Sequence, residues 1–282
     1  MMDQIYGGIE AGGTKFVCAI GKRTGEILSQ TEIPTTSPSE TFAKVADYFK
    51  KDSRVVAVGV GAFGPIDLDS GSSTYGRITN TPKEGWKNVD MKSLLEQALN
   101  LPIEIETDVG CAGLGEYFYG AAKGINNILY LTAGTGIGGA SLLNGVVQHG
   151  MSHPEMGHIM IPHDLEKDPF PGTCPFHGDC FEGLASGPAI EKRAGQKAQH
   201  VIDSYRWDLE AQYLASGIVN LALTLSPKII VLGGGIFKHG GLVNEVRDIA
   251  GSMINDYTVL PIFTASSENN AVRGAIRLAS QG

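Results

Sequence analysis

Ile5-Tyr6-Gly7-Gly8-Ile9-Glu10-Ala11-Gly12-Gly13-Thr14-Lys15-Phe16-Val17-Cys18-Ala19-Ile20 reads as strand, tight turn, strand. Ile5 to Glu10 is the first strand, Ala11 to Lys15 the turn, and Phe16 to Ile20 the second strand. Glycine N–H groups in such a turn can close on phosphate oxygens, while Thr14 and Lys15 add a hydroxyl and a positive charge. The spacing is not that of a Walker A loop. A plain β-hairpin turn is the simpler reading of the same residues.

The pattern recurs. Asn127 to Thr132 reads as a strand, Ala133-Gly134-Thr135-Gly136-Ile137-Gly138-Gly139 as a turn, and Ala140 to Leu143 as a strand. Ala-Gly occurs at 11–12 and again at 133–134, an offset of 122 residues. A strand–glycine turn–strand opening each half predicts a duplicated α/β architecture, with a nucleotide held between two domains. A third glycine cluster, Gly233-Gly234-Gly235, follows a strand at Lys228 to Leu232. The absence of side chains there suits close approach of an adenine or ribose.

Other elements follow from local signals. Thr24-Gly25 turns into a strand at Glu26 to Ile33. Ser37-Pro38-Ser39-Glu40 starts a helix, with Ser37 as cap, Pro38 in the first position and Glu40 completing a capping box. Val55 to Val60 is a buried strand, and Pro82 to Trp86 is loop. Asp90 caps a helix with Met91, Leu94, Leu95, Ala98 and Leu99 on one face. Pro102 to Glu106 is a strand, followed by a helix over 109–119. A long helix carries Leu214, Ile218, Leu221 and Leu225, and a last one lies around Asn270 to Ala279. The first domain is placed at 1–118 and the second at 119–267. The segment 268–282 is expected to pack back on the first domain.

The chain has 282 residues, 42% of them hydrophobic, enough for two domains at ~100–200 residues each. Glycine accounts for 38 residues, nearly twice the ~7% average share. Lys and Arg number 22 against 30 Asp and Glu, a net charge of −8 with no basic run, so nucleic acid is not an expected partner. No stretch reaches the ~18 apolar residues of a membrane span, so no membrane is expected either. The start, Met1-Met2-Asp3-Gln4, lacks the features of a secretory signal, which predicts a cytoplasmic protein.

Residues 150–182 are irregular and hold Cys174-x-x-His177-x-x-Cys180. With His158 as a fourth ligand, two sulfurs and two imidazoles suit tetrahedral zinc, which would order a loop at 153–182. The plain alternative is two free thiols and surface histidines. Cys18 and Cys111 read as core residues. Asp108 sits between strand and helix, either as a general base or simply as the helix cap. Glu155 and Glu182 flank the metal loop, where solvated surface is the ordinary reading.

These residues resemble the ROK family of sugar kinases and repressors, within the actin–hexokinase superfamily, over essentially the whole chain. The opening is similar to the family's D-x-G-G-T-K phosphate loop, with Glu10 in place of Asp. Thr132 to Gly139 resembles the second phosphate loop, and Glu155-Met156-Gly157-His158 the E-x-G-H motif. Cys174-Pro175-Phe176-His177-Gly178-Asp179-Cys180-Phe181-Glu182-Gly183 resembles the zinc loop of bacterial fructokinases rather than the three-cysteine form of glucokinases. Thr81-Pro82-Lys83-Glu84-Gly85-Trp86 points the same way.

The resemblance implies a duplicated actin/hexokinase-like (ribonuclease H-like) α/β fold of two domains about a cleft. It implies ATP-dependent phosphorylation of a hexose, foremost D-fructose to fructose 6-phosphate, with Mg2+ alongside ATP and a structural Zn2+. Asp108 falls on the catalytic base. Gly12, Gly13, Thr14, Lys15, Thr132, Gly134, Thr135 and Gly136 fall on phosphate contacts. Pro188 with Gly233, Gly234, Gly235, Ile236 and Phe237 fall on adenosine contacts. Gly64, Pro65, Asn80, Glu155, His158 and Glu182 fall on sugar contacts, His158 also on zinc. Thr107 departs from the Asn that many relatives place before the base. A homodimer is the family expectation. Mannose, glucose or an N-acetylated amino sugar is the alternative substrate, and a zinc-ordered sugar-binding module the alternative without catalysis. A repressor is set aside, because only nine residues precede Glu10 and none forms a basic recognition helix.

Overall fold

The computed structural model describes residues 4–197, 200–201, 204–255, 257–266 and 269–282. The first sheet is built from β1 (Ile5–Ala11), β2 (Lys15–Lys22), β3 (Ile27–Pro34), β4 (Val55–Ala62) and β5 (Ile103–Thr107), in the order β3-β2-β1-β4-β5. β1, β2 and β3 pair antiparallel, while β4 lies parallel to both β1 and β5. Helix α1 (Pro38–Phe49) precedes β4, α2 (Met91–Leu99) precedes β5, and α3 (Asp108–Tyr119) follows it. Ser37 caps α1 from the Glu40 N–H, but the Glu40 carboxylate turns to Lys44, 2.7 Å away. Asp90 caps α2 as expected, and Met91, Leu95 and Leu99 are its buried stripe; Leu94 faces outward, 40% exposed. The aromatic centre of this core is Trp86, fully buried against Phe16, Phe42 and Phe63.

The second sheet contains β6 (Asn127–Ala133), β7 (Ile137–Leu143), β8 (Val146–Val147), β9 (Ile229–Gly233) and β10 (Ile262–Thr264), in the order β8-β7-β6-β9-β10. This is the strand order of the first sheet repeated. The register repeats too: 127 − 5, 133 − 11 and 137 − 15 all equal 122. Helices α4 (Phe181–Ala185), α5 (Gly187–Ala194), α6 (Ser204–Leu225) and α7 (Leu242–Ile254) surround this sheet. Leu214, Ile218 and Leu221 of α6 are buried in its core, as their spacing predicts.

The chain closes with α8 (Asn270–Ala279), which returns to the first unit and packs on α3, β1 and β4. Glycine makes the approach possible. A Cβ on Gly274 would lie 1.7 Å from the Cys111 carbonyl oxygen, and one on Gly59 1.9 Å from that of Ala275.

Contacts divide the chain into one unit of Met1–Gly124, Leu142–Pro154 and Ser266–Gly282, and another of Ile125–Ser141 and Glu155–Ala265. Glu116, fully buried, ties down the exit of α3: its carboxylate accepts the Ala121 N–H at 2.6 Å and the Ser266 N–H at 2.9 Å. Among the described residues, no helix is long and apolar enough to cross a membrane.

Candidate active site

In the first unit, Gly12, Gly13 and Thr14 form the turn between β1 and β2. Gly12 donates its N–H to the Lys15 oxygen at 3.0 Å. Thr35 clamps the turn, its hydroxyl donating to the Gly12 oxygen at 2.8 Å and its N–H to the Thr14 oxygen at 2.9 Å. A Cβ on Gly13 would meet nothing within 4 Å, so that side of the turn is open. Lys15 pairs with Glu32. Burial, reinforced by the charge of Asp108, pushes the Glu10 carboxyl up to about 7, with Lys15 opposing.

Asp108 opens α3 but does not cap it. Thr107 does, accepting the Gly110 N–H on its hydroxyl at 2.9 Å. The Thr107 N–H and hydroxyl both donate to Glu106 Oε1, at 2.7 and 3.1 Å. Asp108 Oδ1 instead accepts the N–H of Val109 at 2.8 Å. The second Glu106 oxygen meets His149 Nε2 at 2.7 Å, and this bond holds the imidazole above its ordinary pKa.

Gly64 and Pro65, joined by a cis peptide, lie in a loop tied to Thr79, whose N–H donates to the Pro65 oxygen at 2.8 Å. Ile66 donates its N–H to His153 Nε2 at 3.3 Å. Asn80 is exposed beside this loop. Trp86 anchors the Thr81–Trp86 segment, its indole donating to the Thr36 oxygen at 2.9 Å.

In the second unit, Gly134, Thr135 and Gly136 form the turn between β6 and β7. A pocket of about 800 Å³ brings Gly134, Thr135, Pro188, Gly235 and Ile236 together with Gly187, Glu191, Lys197, Trp207, Lys238, His239 and Gly240. Trp207 and His239 stack at 3.7 Å with their rings 9° apart. Thr132, Gly136, Gly233, Gly234 and Phe237 do not line it. Phe237 packs into the core, and a Cβ on Gly233 would lie 2.3 Å from the Tyr130 hydroxyl oxygen. Trp207 and His239 carry no recognisable motif, and they meet only because α6 passes the turn that follows β9.

The metal-type residues do converge. The ligand atoms of His158, Cys174, His177 and Cys180 all lie within 4.8 Å of one another. Cys174 Sγ is 3.6 Å from His158 Nδ1 and 3.7 Å from His177 Nδ1, and Cys180 Sγ is 3.5 Å from His158 Nδ1. Tetrahedral zinc with Zn–S of ~2.3 Å and Zn–N of ~2.0–2.1 Å sets sulfur and nitrogen about 3.6 Å apart, so the donor set fits that ion. His158 faces the sulfurs with Nδ1, which reserves Nε2 for another partner. Gly172 and Gly183 let the loop cross itself, since a Cβ on either would lie 2.0 Å from the Gly178 oxygen.

Residues not singled out by sequence support the loop from behind. The buried Asp168 accepts Tyr213 Oη at 2.8 Å and pairs with Arg193 at 3.1 Å. His163 links the Asp168 carbonyl to the Asp179 carboxylate, both at 2.9 Å. Glu155, exposed, starts the short turn Met156–His158. Glu182 is half-buried, with Oε2 accepting the Ile137 N–H at 2.9 Å. Cys18 and Cys111 are fully buried in the first unit.

The ROK family model matches residues 6–282. The chain belongs to the ROK family. It is 46% identical over 254 residues to a putative fructokinase of Bacillus subtilis (strain 168), covering 90% of this chain and 84% of that protein. A fructokinase of Lactococcus lactis subsp. cremoris is 45% identical over 261 residues, covering 92% and 89%. Among solved structures, the ROK hexokinase of Thermus thermophilus superposes with a TM-score of 0.82 at 25% identity, covering 98% of each chain.

Proposed function

We propose that this protein is a fructokinase, transferring the terminal phosphoryl group of ATP to D-fructose to form fructose 6-phosphate. The carrying observation is the 45–46% identity to fructokinases over nine-tenths of the chain. The enzyme class, a hexose kinase, follows from the family together with the fructokinase relatives.

Asp108 is proposed as the base that takes the proton from the attacking hydroxyl, a role worth roughly 10²–10⁴ in rate. That Thr107, and not Asp108, supplies the side-chain cap of α3 supports this reading. Gly12 to Lys15 and Thr132 to Gly136 are proposed to hold phosphates, and the pocket at Pro188, Gly235 and Ile236 the adenosine. Trp207 and His239 add an aromatic wall to it. Mg2+ bound with ATP would offset charge on the transferring phosphoryl group. Gly64, Pro65, Asn80, Glu155, His158 and Glu182 are proposed to bind the sugar. Zn2+ held by His158, Cys174, His177 and Cys180 would fix the orientation and tautomer of His158, whose Nε2 then meets a sugar hydroxyl. A homodimer and a cytoplasmic location belong to the same proposal; light scattering reading twice 29.8 kDa would support the dimer.

The deciding assay is ADP release with Mg-ATP on fructose, mannose, glucose and N-acetylglucosamine, with Asp108→Asn alongside. Turnover mainly on fructose, lost in the variant, is expected. Turnover mainly on another hexose would overturn the fructose assignment. Sugar binding without any turnover would favour the binding module.

A further inference from the structure

Glu182 stands two residues after Cys180, in the first turn of α4. Its Oε2 accepts the Ile137 N–H at 2.9 Å, and a Cβ on Gly136 would lie 2.6 Å from that oxygen. At the far end of α4, Ser186 donates its N–H to the Glu182 carbonyl at 3.1 Å, and Gly187 donates to the Gly134 carbonyl at 2.7 Å. The stretch that follows the metal loop therefore bonds both ends of the second glycine turn. The turn uses its Gly134 N–H internally, on the Gly136 oxygen at 2.9 Å, and its Ile137 N–H on Glu182. Thr135 and Gly136 lie between these two fixed N–H groups, and Thr135 lines the pocket.

α4 itself is held firmly. Phe181 is fully buried and donates its N–H to the Ile159 oxygen at 2.9 Å, beside His158. Gly183 packs against the Cys174–Gly178 loop, where a Cβ would lie 3.2 Å from that of Cys174. A side chain mounted on such a base transmits its position to whatever it bonds.

We propose that Glu182 is a positioning residue for the nucleotide: its carboxylate holds the Gly134–Gly136 turn in its phosphate-binding shape, independently of any sugar. This rests on the nucleotide reading given above. One oxygen is committed to the turn, so a single side chain set by the metal loop serves the phosphate side as well as the sugar side.

The test is calorimetric binding of Mg-ADP, without sugar, to the zinc-loaded protein and to Glu182→Gln, Glu182→Asp and Glu182→Ala, with zinc content measured on each. The amide oxygen of Gln can still accept the Ile137 N–H, so Glu182→Gln should bind ADP within about twofold of the parent. Asp keeps the charge but is one methylene short, so Glu182→Asp and Glu182→Ala should each bind roughly tenfold more weakly, with zinc retained. Glu182→Asp binding ADP like the parent would overturn the proposal. If Glu182→Ala loses zinc, the Asp and Gln pair decides by the same criteria. Parent protein that binds no ADP would instead refute the nucleotide reading and this inference with it.

Discussion

Thr107→Ala should weaken the first unit, and Thr107→Asn should not. The Thr107 hydroxyl accepts the Gly110 N–H at 2.9 Å and donates to Glu106 at 3.1 Å, at a site only 6% exposed. Losing a helix cap costs ~1 kcal/mol, within a range of about 0.5–2. Losing one donor to a buried carboxylate adds ~1 kcal/mol more. Together the loss is about 2 kcal/mol, which at a urea slope of ~2 kcal/mol/M lowers the midpoint by roughly 1 M. Asn caps a helix as well as Thr does, and its amide N–H can donate to Glu106 in place of the hydroxyl, so it restores both contributions. The chain has two tryptophans, Trp86 in the first core and Trp207 in the second, so fluorescence in a Trp207→Phe background follows the first unit alone. Because the cap fixes the residue just before Asp108, kcat should fall with the Ala variant while the KM for ATP holds. An Ala midpoint within about 0.3 M of the parent, or an Asn variant as weak as Ala, would refute this account of the β5–α3 junction.

Three further outcomes are expected. The Glu106 bond raises the His149 pKa above 6.5 in the folded chain, so the stability it contributes is full below pH 6.5 and is lost as pH rises through the folded value; urea midpoints from pH 6 to 8 should decline in the parent, and more shallowly in His149→Gln. Under the proposed zinc site, Cys180→Ser should cut the zinc bound per chain to a small fraction of the parent's by elemental analysis and lower the unfolding temperature of the second unit, followed by Trp207 in a Trp86→Phe background. Gly274→Ala should destabilise the first unit despite a helix-propensity gain of ~1 kcal/mol. The added carbon would lie 1.7 Å from the Cys111 oxygen, a backbone atom that cannot swing aside, which puts the cost near the top of the ~1–3 kcal/mol range for overpacking; an unchanged midpoint would contradict it.

What was legible in the sequence was whatever repeats or sits in one short run. The strand–turn–strand units at 5–20 and 127–143 announced the duplicated frame, and Cys174, His177 and Cys180 announced their own cluster by spacing. The helix expected around Asn270 to Ala279 is α8. The sequence offers Asp108 as a cap for the helix after β5, and the structure gives that place to the Thr107 hydroxyl one residue earlier. Leu94 fitted the apolar stripe of α2 but points outward, because the buried face is narrower than the pattern allowed. Partners joined only by folding were invisible: His149 lies 43 residues from Glu106, and Tyr213 lies 45 from Asp168. Neither pair has a spacing that any helix or strand period would flag.

The two copies of the frame also explain where the chemistry was added. In the first, β3 ends at Pro34 and α1 starts at Pro38, and the short link between them contains Thr35, which clamps the first glycine turn through the Gly12 and Thr14 oxygens. In the second, the equivalent link runs from the end of β8 at Val147 to the start of α6 at Ser204. That expanded link contains His158, Cys174, His177, Cys180, Glu182 and Gly187, and it too clamps its turn, through Ile137 and Gly134. The same connection in the topology holds the same turn in both copies, with a threonine in one and a metal-type loop in the other. The metal loop is therefore an elaboration of a clamp the frame already requires. Deleting its ligands should loosen the second glycine turn before it disturbs the sheet beneath.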